Sequence, residues 1–201
     1  MPVRVRQEVQ EVPRRLTAPV PPLADDGMRL EPLTQADHGE LLVLVGDEAI
    51  KAFTRVPSDA DAEFVRSWIG RYEEGWADGS RAGFSGRAVA DGSLLAFAAF
   101  VHLDLDARQG EIGYAVPPAA RGRGIAGRSL GLLTRWGFDQ LDLVRIELVI
   151  DVENPASERV AARAGYRLEG VRRSVAFKEG RRTDNGLWSR LRDDQPSRLP
   201  E

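Results

Sequence analysis

The sequence predicts an α+β fold in which a mixed, mostly antiparallel sheet of about six to seven strands is flanked by about four helices. Three observations predict it. Short segments with apolar residues at alternate positions, typical of strands, fill most of the chain after residue 82. Two segments before that point and two after residue 123 carry apolar residues at helical spacing. One of these helical segments lies between two strands, which indicates a single crossover in an otherwise antiparallel sheet.

Domain boundaries follow from composition. Residues 1–26 are rich in proline with little apolar periodicity, and they are predicted to be a tail or an arm on the surface. The folded domain is predicted over 27–192, and 193–201 form a C-terminal tail. A short strand starts at Met28. Thr34 and Asp37 then form a capping signal for the first helix.

The middle of the chain changes from helical to extended. Ser58 and Asp61 repeat the capping signal before a second helix, which carries the aromatic residues Trp68, Tyr72 and Trp76. The segments FSGRAVA and LLAFAAFVH, joined by the turn DGS, then predict a hairpin whose second strand is apolar on both faces. GEIGYAV predicts a third strand. Its alternation places Ile112, Tyr114 and Val116 on one face and Glu111, Gly113 and Ala115 on the other.

The last third predicts strand, helix, strand, helix and a final hairpin. A helix over about 124–140 leads to the strand VRIELVIDV. A shorter helix follows, with Asn154 as its N-cap, Pro155 at its first position and Gly165 at its C-terminal cap. YRLEGV and a second extended segment around 171–177 precede a turn at Glu179 and Gly180 and the final segment DNGLWSRL.

Composition excludes several classes of site. The 201 residues include no cysteine, so a Cys nucleophile and a thiolate zinc site are excluded, and two well-separated histidines give no metal-ligand spacing. We predict no metal site. The net charge of -3 argues against a nucleic-acid partner. Without a signal-peptide pattern or an apolar run of membrane-spanning length, we expect a cytoplasmic protein with no membrane partner.

The segment RGRGIAG, residues 121–127, matches two nucleotide-binding loops. Gly122, Gly124 and Gly127 satisfy the dinucleotide pattern G-x-G-x-x-G, and Arg121, Gly124 and Ala126 satisfy [QR]-x-x-G-x-[GA], the pyrophosphate loop of acetyl-CoA-dependent N-acetyltransferases. In both, backbone N–H groups at a helix N-terminus bind a diphosphate. Three features argue against a dinucleotide-binding loop. Prolines and alanines separate the loop from the preceding strand, the strands upstream are antiparallel, and a second βαβ half is lacking.

Four landmarks in order carry a family resemblance: GEIGYAVPPAARGRGIA, RIELVIDVENPAS, ERVAARAGYRLEG and GRRTDNGLWSRL. From about residue 28 to 191 the chain resembles a GNAT-superfamily N-acetyltransferase of the Rim-type branch, which acetylates ribosomal-protein N-termini. The resemblance implies a GNAT-type acyl-CoA N-acyltransferase fold and acetyl transfer to a primary amine, on a protein N-terminus or a small molecule, by direct attack in a ternary complex. A homodimer is an open alternative to a monomer.

The resemblance also implies where acetyl-CoA binds. Its pantetheine arm would pair with Ala115 and Val116 in the gap between the GEIGYAV and RIELVID strands. Asn154 would also bond this arm. The pyrophosphate would lie on the loop formed by Arg121, Gly122, Arg123, Gly124, Ile125 and Ala126.

Catalytic roles follow in the same way. Val116 N–H corresponds to the family's usual oxyanion donor, and Glu111 lies where related enzymes keep a carboxylate that takes the amine proton. An exposed strand glutamate with no such role is the alternative. Ser157 resembles the Rim-type serine that faces the CoA sulfur. Many GNAT enzymes use a tyrosine seven residues after the Asn, but this chain has Ala161 there, so protonation of the thiolate is left to Ser157 or to water.

Two alternatives to catalysis by this route remain. The missing tyrosine and the isolated glutamate are compatible with a non-catalytic acyl-CoA-binding or sensing protein of the same fold. A less favoured alternative is an NAD(P)-dependent enzyme. Asp184 is expected to have a turn or hydrogen-bonding role, and Tyr166 is expected to pack in the core.

Overall fold

The computed structural model describes residues 16–178 and 180–194. The strands in chain order are β1 (Leu23–Ala24), β2 (Met28–Pro32), β3 (Ala82–Ala88), β4 (Leu94–Asp104), β5 (Gln109–Ala115), β6 (Arg145–Asp151), β7 (Arg167–Lys178) and β8 (Arg181–Leu191). The helices are α1 (His38–Val45), α2 (Glu48–Phe53), α3 (Ala62–Asp78), α4 (Ile125–Asp139) and α5 (Pro155–Arg163), with 3₁₀ turns at Gln35–Asp37 and Pro118–Ala120.

The strands of this described part form one sheet in the order β1-β2-β3-β4-β5-β6-β8-β7. Neighbouring strands are antiparallel except β5 and β6, which run parallel and are connected through α4. The α+β class and the single crossover are therefore confirmed, with eight strands and five α-helices in the described residues where about six to seven strands and about four helices were predicted.

Apolar layers cover both faces of the sheet. On one face, Phe100, Ile112 and Leu148 pack in a cluster that also holds buried residues of α4 and Ala161 of α5. On the other face, Phe97 and Ala115 pack in a second cluster with buried residues of α1, α2 and α3. Side chains of β4 alternate between the two clusters, which confirms that this strand is apolar on both faces.

Two elements were not predicted. Helix α2 has six residues, too few to show a helical repeat, and its N-terminus is capped by the Asp47 side chain, which accepts the Ile50 N–H at 3.0 Å. Strand β1 has two residues and pairs with β2. Leu16 is buried and donates its N–H to the carbonyl of Trp76 at 3.1 Å, so residues from 16 onward lie against the domain.

The predicted domain boundaries stay a prediction: β1 lies before residue 27, and most of the two predicted tails falls outside the described residues. The two extended segments predicted after residue 166 form one strand, β7, whose register to β8 shifts at two places. Gly180 has a φ of 77°, as the predicted turn requires, and Glu179 lies outside the described residues. No helix in the described ranges is long and apolar enough to cross a membrane.

Candidate active site

A gap opens in the sheet between the two parallel strands. Pairs between β5 and β6 link Gln109 to Arg145, Gly110 to Ile146 and Glu111 to Glu147, and the described residues show no pair beyond them. Residues 112–115 of β5 still pair with β4 on their other edge. The edge of β5 that faces β6 is therefore open to an extended ligand, which could add to it as a strand does.

The glycine loop lies between the unpaired end of β5 and the start of α4. Gly122 and Gly124 both have a φ of 73°, and a Cβ built on either would meet no atom within 4 Å. Gly124 is the N-cap of α4, so the unpaired N–H groups of the first turn point out of the loop. The Ile125 side chain is buried in the core, and only its backbone can contact a ligand. The loop thus has the geometry of an anion site at a helix N-terminus.

The two arginines of the loop differ. Arg121 donates from Nε to the Val116 carbonyl at 3.1 Å and also pairs with the Asp47 carboxylate at the start of α2. The hydrogen bond from the Arg121 side chain is the main cause that lowers the pKa of the Asp47 carboxyl. Arg123 is exposed. The family resemblance placed both arginines in the pyrophosphate loop, but the Arg121 side chain here holds the loop against the start of α2.

Glu111 lies on the face of the sheet that α1 and α3 cover, with Ala115, as the alternation predicted. Its side chain is 22% exposed and accepts a hydrogen bond from Arg55 at 3.1 Å, while the Arg55 side chain is 79% exposed. Lys178, at the end of β7, donates to the carbonyls of Thr54 and Val56 at 3.1 and 2.6 Å. The loop after α2 and the end of β7 therefore meet beside Glu111.

Ser157 lies on the other side of the gap, in the first turn of α5. Asn154 caps this helix as predicted, because its Oδ1 accepts the Ser157 N–H at 3.1 Å. The Ser157 side chain is half-buried near Tyr114, which projects from β5 on the same face as Val116. Burial raises the pKa of the Tyr114 hydroxyl, and the nearby Ser157 side chain opposes that rise.

Several other predicted residues have structural roles. Tyr166 is buried and its hydroxyl lies 2.8 Å from that of Thr134, which confirms the core assignment. Asp184 accepts the Ser174 N–H at 2.7 Å, a hydrogen-bonding role as expected, although it lies within β8. The aromatic residues of α3 pack inward: Trp68 lies 4.6 Å from Phe97 by ring centroids.

The sequence did not reveal the contacts of Asp47, Arg55 and Lys178. Asp47 lies just before α2, Arg55 in the loop after α2 and Lys178 at the end of β7. The pattern of apolar residues in the sequence does not indicate the partners of such charged residues. Their partners are distant in sequence, so only the folded chain brings them together. The described residues contain no group of three or more His, Asp or Glu side chains arranged to hold a metal ion.

Residues 28–167, well over half of the chain, match the family model of the acetyltransferase (GNAT) domain. The chain belongs to the GNAT acetyltransferase family. It is accordingly an N-acetyltransferase, which transfers an acetyl group from acetyl-CoA to an amine. The resemblance seen in the four sequence landmarks is thus confirmed.

Known GNAT proteins agree with this assignment. The ribosomal-protein-serine acetyltransferase of Escherichia coli is 29% identical over 102 residues, which cover 51% of this chain and 57% of that protein. Among solved structures, the apo form of RimL, a ribosomal L7/L12 alpha-N-protein acetyltransferase, matches with a TM-score of 0.77 at 20% identity, over 83% of this chain and 91% of that one. A spermidine N-acetyltransferase from Vibrio cholerae in complex with CoA and spermine matches with a TM-score of 0.74 at 19% identity, over 83% and 96% of the two chains.

Proposed function

We propose that this GNAT protein acetylates the N-terminal α-amine of a protein acceptor, with acetyl-CoA bound in the gap between β5 and β6. The gap carries the proposal, because it links two sides of the sheet with different chemistry. Glu111 lies on one side and Ser157 on the other. The acceptor would approach from the side of Glu111, and the CoA thiol would leave on the side of Ser157.

Cofactor binding rests on backbone groups. The pantetheine arm would pair with Ala115 and Val116 along the open edge of β5, and the Asn154 side chain would contact it from α5. The diphosphate would lie on the N–H groups of residues 121–126, where two glycines in the left-handed region keep Cβ atoms away. Arg123 would add charge there, since Arg121 is paired with Asp47.

The chemistry requires two proton transfers. Glu111 would take the proton of the acceptor ammonium, directly or through water, and the neutral amine would attack the thioester carbonyl. Val116 N–H would stabilise the oxyanion. When the carbon–sulfur bond breaks, Ser157 would pass a proton to the thiolate and regain one from the attacking nitrogen, directly or through water, so that the nitrogen loses its second proton. The chain has no cysteine to form an acetyl-thioenzyme, which favours direct attack in a ternary complex.

Charges beside Glu111 favour a protein N-terminus over a polyamine. RimL is an alpha-N-protein acetyltransferase, whereas the Vibrio cholerae spermidine N-acetyltransferase binds spermine. In this chain Arg55 contacts Glu111 directly, and Lys178 of β7 donates to two carbonyls of the loop that carries Arg55. A polyamine would bring several cations toward these two, whereas a peptide N-terminus brings one.

An acceptor screen tests this proposal. Acetyl-CoA is mixed with the protein and with N-terminal peptides, polyamines, aminoglycosides or amino acids, and free thiol and acetylated product are measured. We expect thiol release with peptides and product acetylated at the α-amine by mass spectrometry. Tight CoA binding without thiol release for any amine would support the non-catalytic alternative. Turnover of polyamines alone would refute the acceptor assignment.

A further inference from the structure

Tyr114 has a buried hydroxyl that the fold does not explain. Its oxygen is inaccessible to solvent and has no hydrogen-bond partner of normal geometry among the described residues. A buried hydroxyl without a partner costs free energy, and phenylalanine would fill the same volume without that cost. A tyrosine here therefore calls for a function.

The location of Tyr114 suggests which function. It belongs to the part of β5 that is open toward β6, and it projects to the side of the sheet that carries α5. It packs against the cluster that holds Ala161 of α5, and Ser157 lies one turn before Ala161 on the same side of that helix. The Ser157 N–H is bonded to Asn154 Oδ1, which fixes the conformation of the first turn of α5.

Position 161 on the same helix is also relevant. Ala161 is fully buried in the apolar cluster against which Tyr114 packs. Its methyl group cannot donate a proton or a hydrogen bond. On this face of the gap, a phenol is thus supplied from β5, while α5 supplies the serine.

We propose that Tyr114 is a positioning residue for Ser157: with acetyl-CoA bound, its hydroxyl donates a hydrogen bond to Ser157 Oγ, so that the single Ser157 proton points at the CoA sulfur. This inference rests on the proposed function. A serine hydroxyl carries one proton and accepts two hydrogen bonds, so a donor at its oxygen leaves that proton for another acceptor. When the carbon–sulfur bond breaks, the thiolate keeps the electron pair and takes the Ser157 proton, and Oγ regains a proton from the attacking nitrogen, directly or through water. The hydrogen bond from Tyr114 then stabilises the charge that develops on Oγ.

A double-mutant cycle on kcat tests the inference, with acetyl-CoA and the best acceptor from the screen. We expect Tyr114→Phe to lower kcat by about tenfold, the value of one hydrogen bond to a charged group, with unchanged acetyl-CoA affinity. Ser157→Ala should lower kcat at least as much. In the double variant the second change should have no further effect, since Tyr114 acts only through Ser157.

Tyr166→Phe is the matched control. It also removes a buried phenol, but one that is hydrogen-bonded to Thr134. It should lower the melting temperature and leave kcat unchanged, whereas Tyr114→Phe should lower kcat and keep or raise the melting temperature. Full activity of Tyr114→Phe, or losses that multiply in the double variant, would overturn the inference while wild-type turnover still supports the proposed function. A wild type that acetylates no amine would refute both.

Discussion

The glycine loop gives the sharpest test of cofactor binding. Gly124 caps α4 with a φ of 73°, a value that β-branched residues rarely adopt. A Cβ at this position meets no atom within 4 Å, so the Cβ of Gly124→Val does not clash with another part of the protein. Its added carbons instead occupy the space beside the N–H groups on which the diphosphate would lie.

Two magnitudes follow from this geometry. Backbone strain from a side chain in the left-handed region costs about 1–2 kcal/mol. For a domain of this size, the melting temperature should fall by about 2–8 °C. Acetyl-CoA affinity should also fall by at least about tenfold, which corresponds to about 1.4 kcal/mol.

Gly92 provides a control that separates the two effects. It has a φ of 74°, an added Cβ there also meets nothing within 4 Å, and it lies in the turn between β3 and β4. Gly92→Val should show a similar loss of melting temperature with unchanged acetyl-CoA affinity by calorimetry. Equal affinity for wild type and folded Gly124→Val protein would refute the assignment of this loop to the diphosphate.

Two further predictions concern charge. Arg123→Ala should weaken acetyl-CoA binding less than Gly124→Val does, and the difference from wild type should shrink as salt rises, because the side chain is exposed. Asp25 has a pKa lowered to about 2, mainly by its hydrogen bond with Arg128. Since the folded-state pKa lies below the ordinary 3.8, this pair stabilises the fold above about pH 4 and loses its effect as pH falls toward 2. Asp25→Asn should therefore lower the melting temperature at neutral pH by much more than it does near pH 2, while the exposed neighbour Asp26→Asn should change neither. A difference from wild type that stays the same size at pH 2 would contradict this.

The strong periodic signals in the sequence predicted the structure well. β4, with apolar residues on both faces, and α4, with a long apolar stripe, appear where expected, because burial of such surfaces determines their period. The cap of α5 was also predictable, since Asn154 and Pro155 act within one turn. A helix cap depends only on residues that are adjacent in sequence, so the sequence alone predicts it.

Long-range polar contacts were not predictable. Whether Arg121 faces a ligand or Asp47 depends on where α2 lies. That helix is too short to show a helical repeat of apolar residues in the sequence. The contact of Arg55 with Glu111 likewise depends on how the loop after α2 crosses the sheet. An exposed arginine has several partners within reach of its flexible side chain, and the fold decides among them.

The pH dependence of Glu111→Gln tests the central claim, that Glu111 takes the proton of the acceptor amine at the gap between β5 and β6. The substitution keeps the shape of the side chain and its acceptor oxygen for Arg55, but removes the proposed proton acceptor. Glu147→Gln is the control, because Glu147 lies beside Glu111 on the next strand and is paired with Arg145 at 2.7 Å. The measurement is kcat/KM from about pH 6 to 9 with the acceptor found in the screen.

We predict that Glu111→Gln loses most activity at the acidic end, where the acceptor amine arrives protonated, and recovers part of it as pH rises. Glu147→Gln should follow the wild-type profile. A Glu111→Gln enzyme with wild-type kcat/KM across this range would contradict the account, because the proton of the amine would then leave without Glu111.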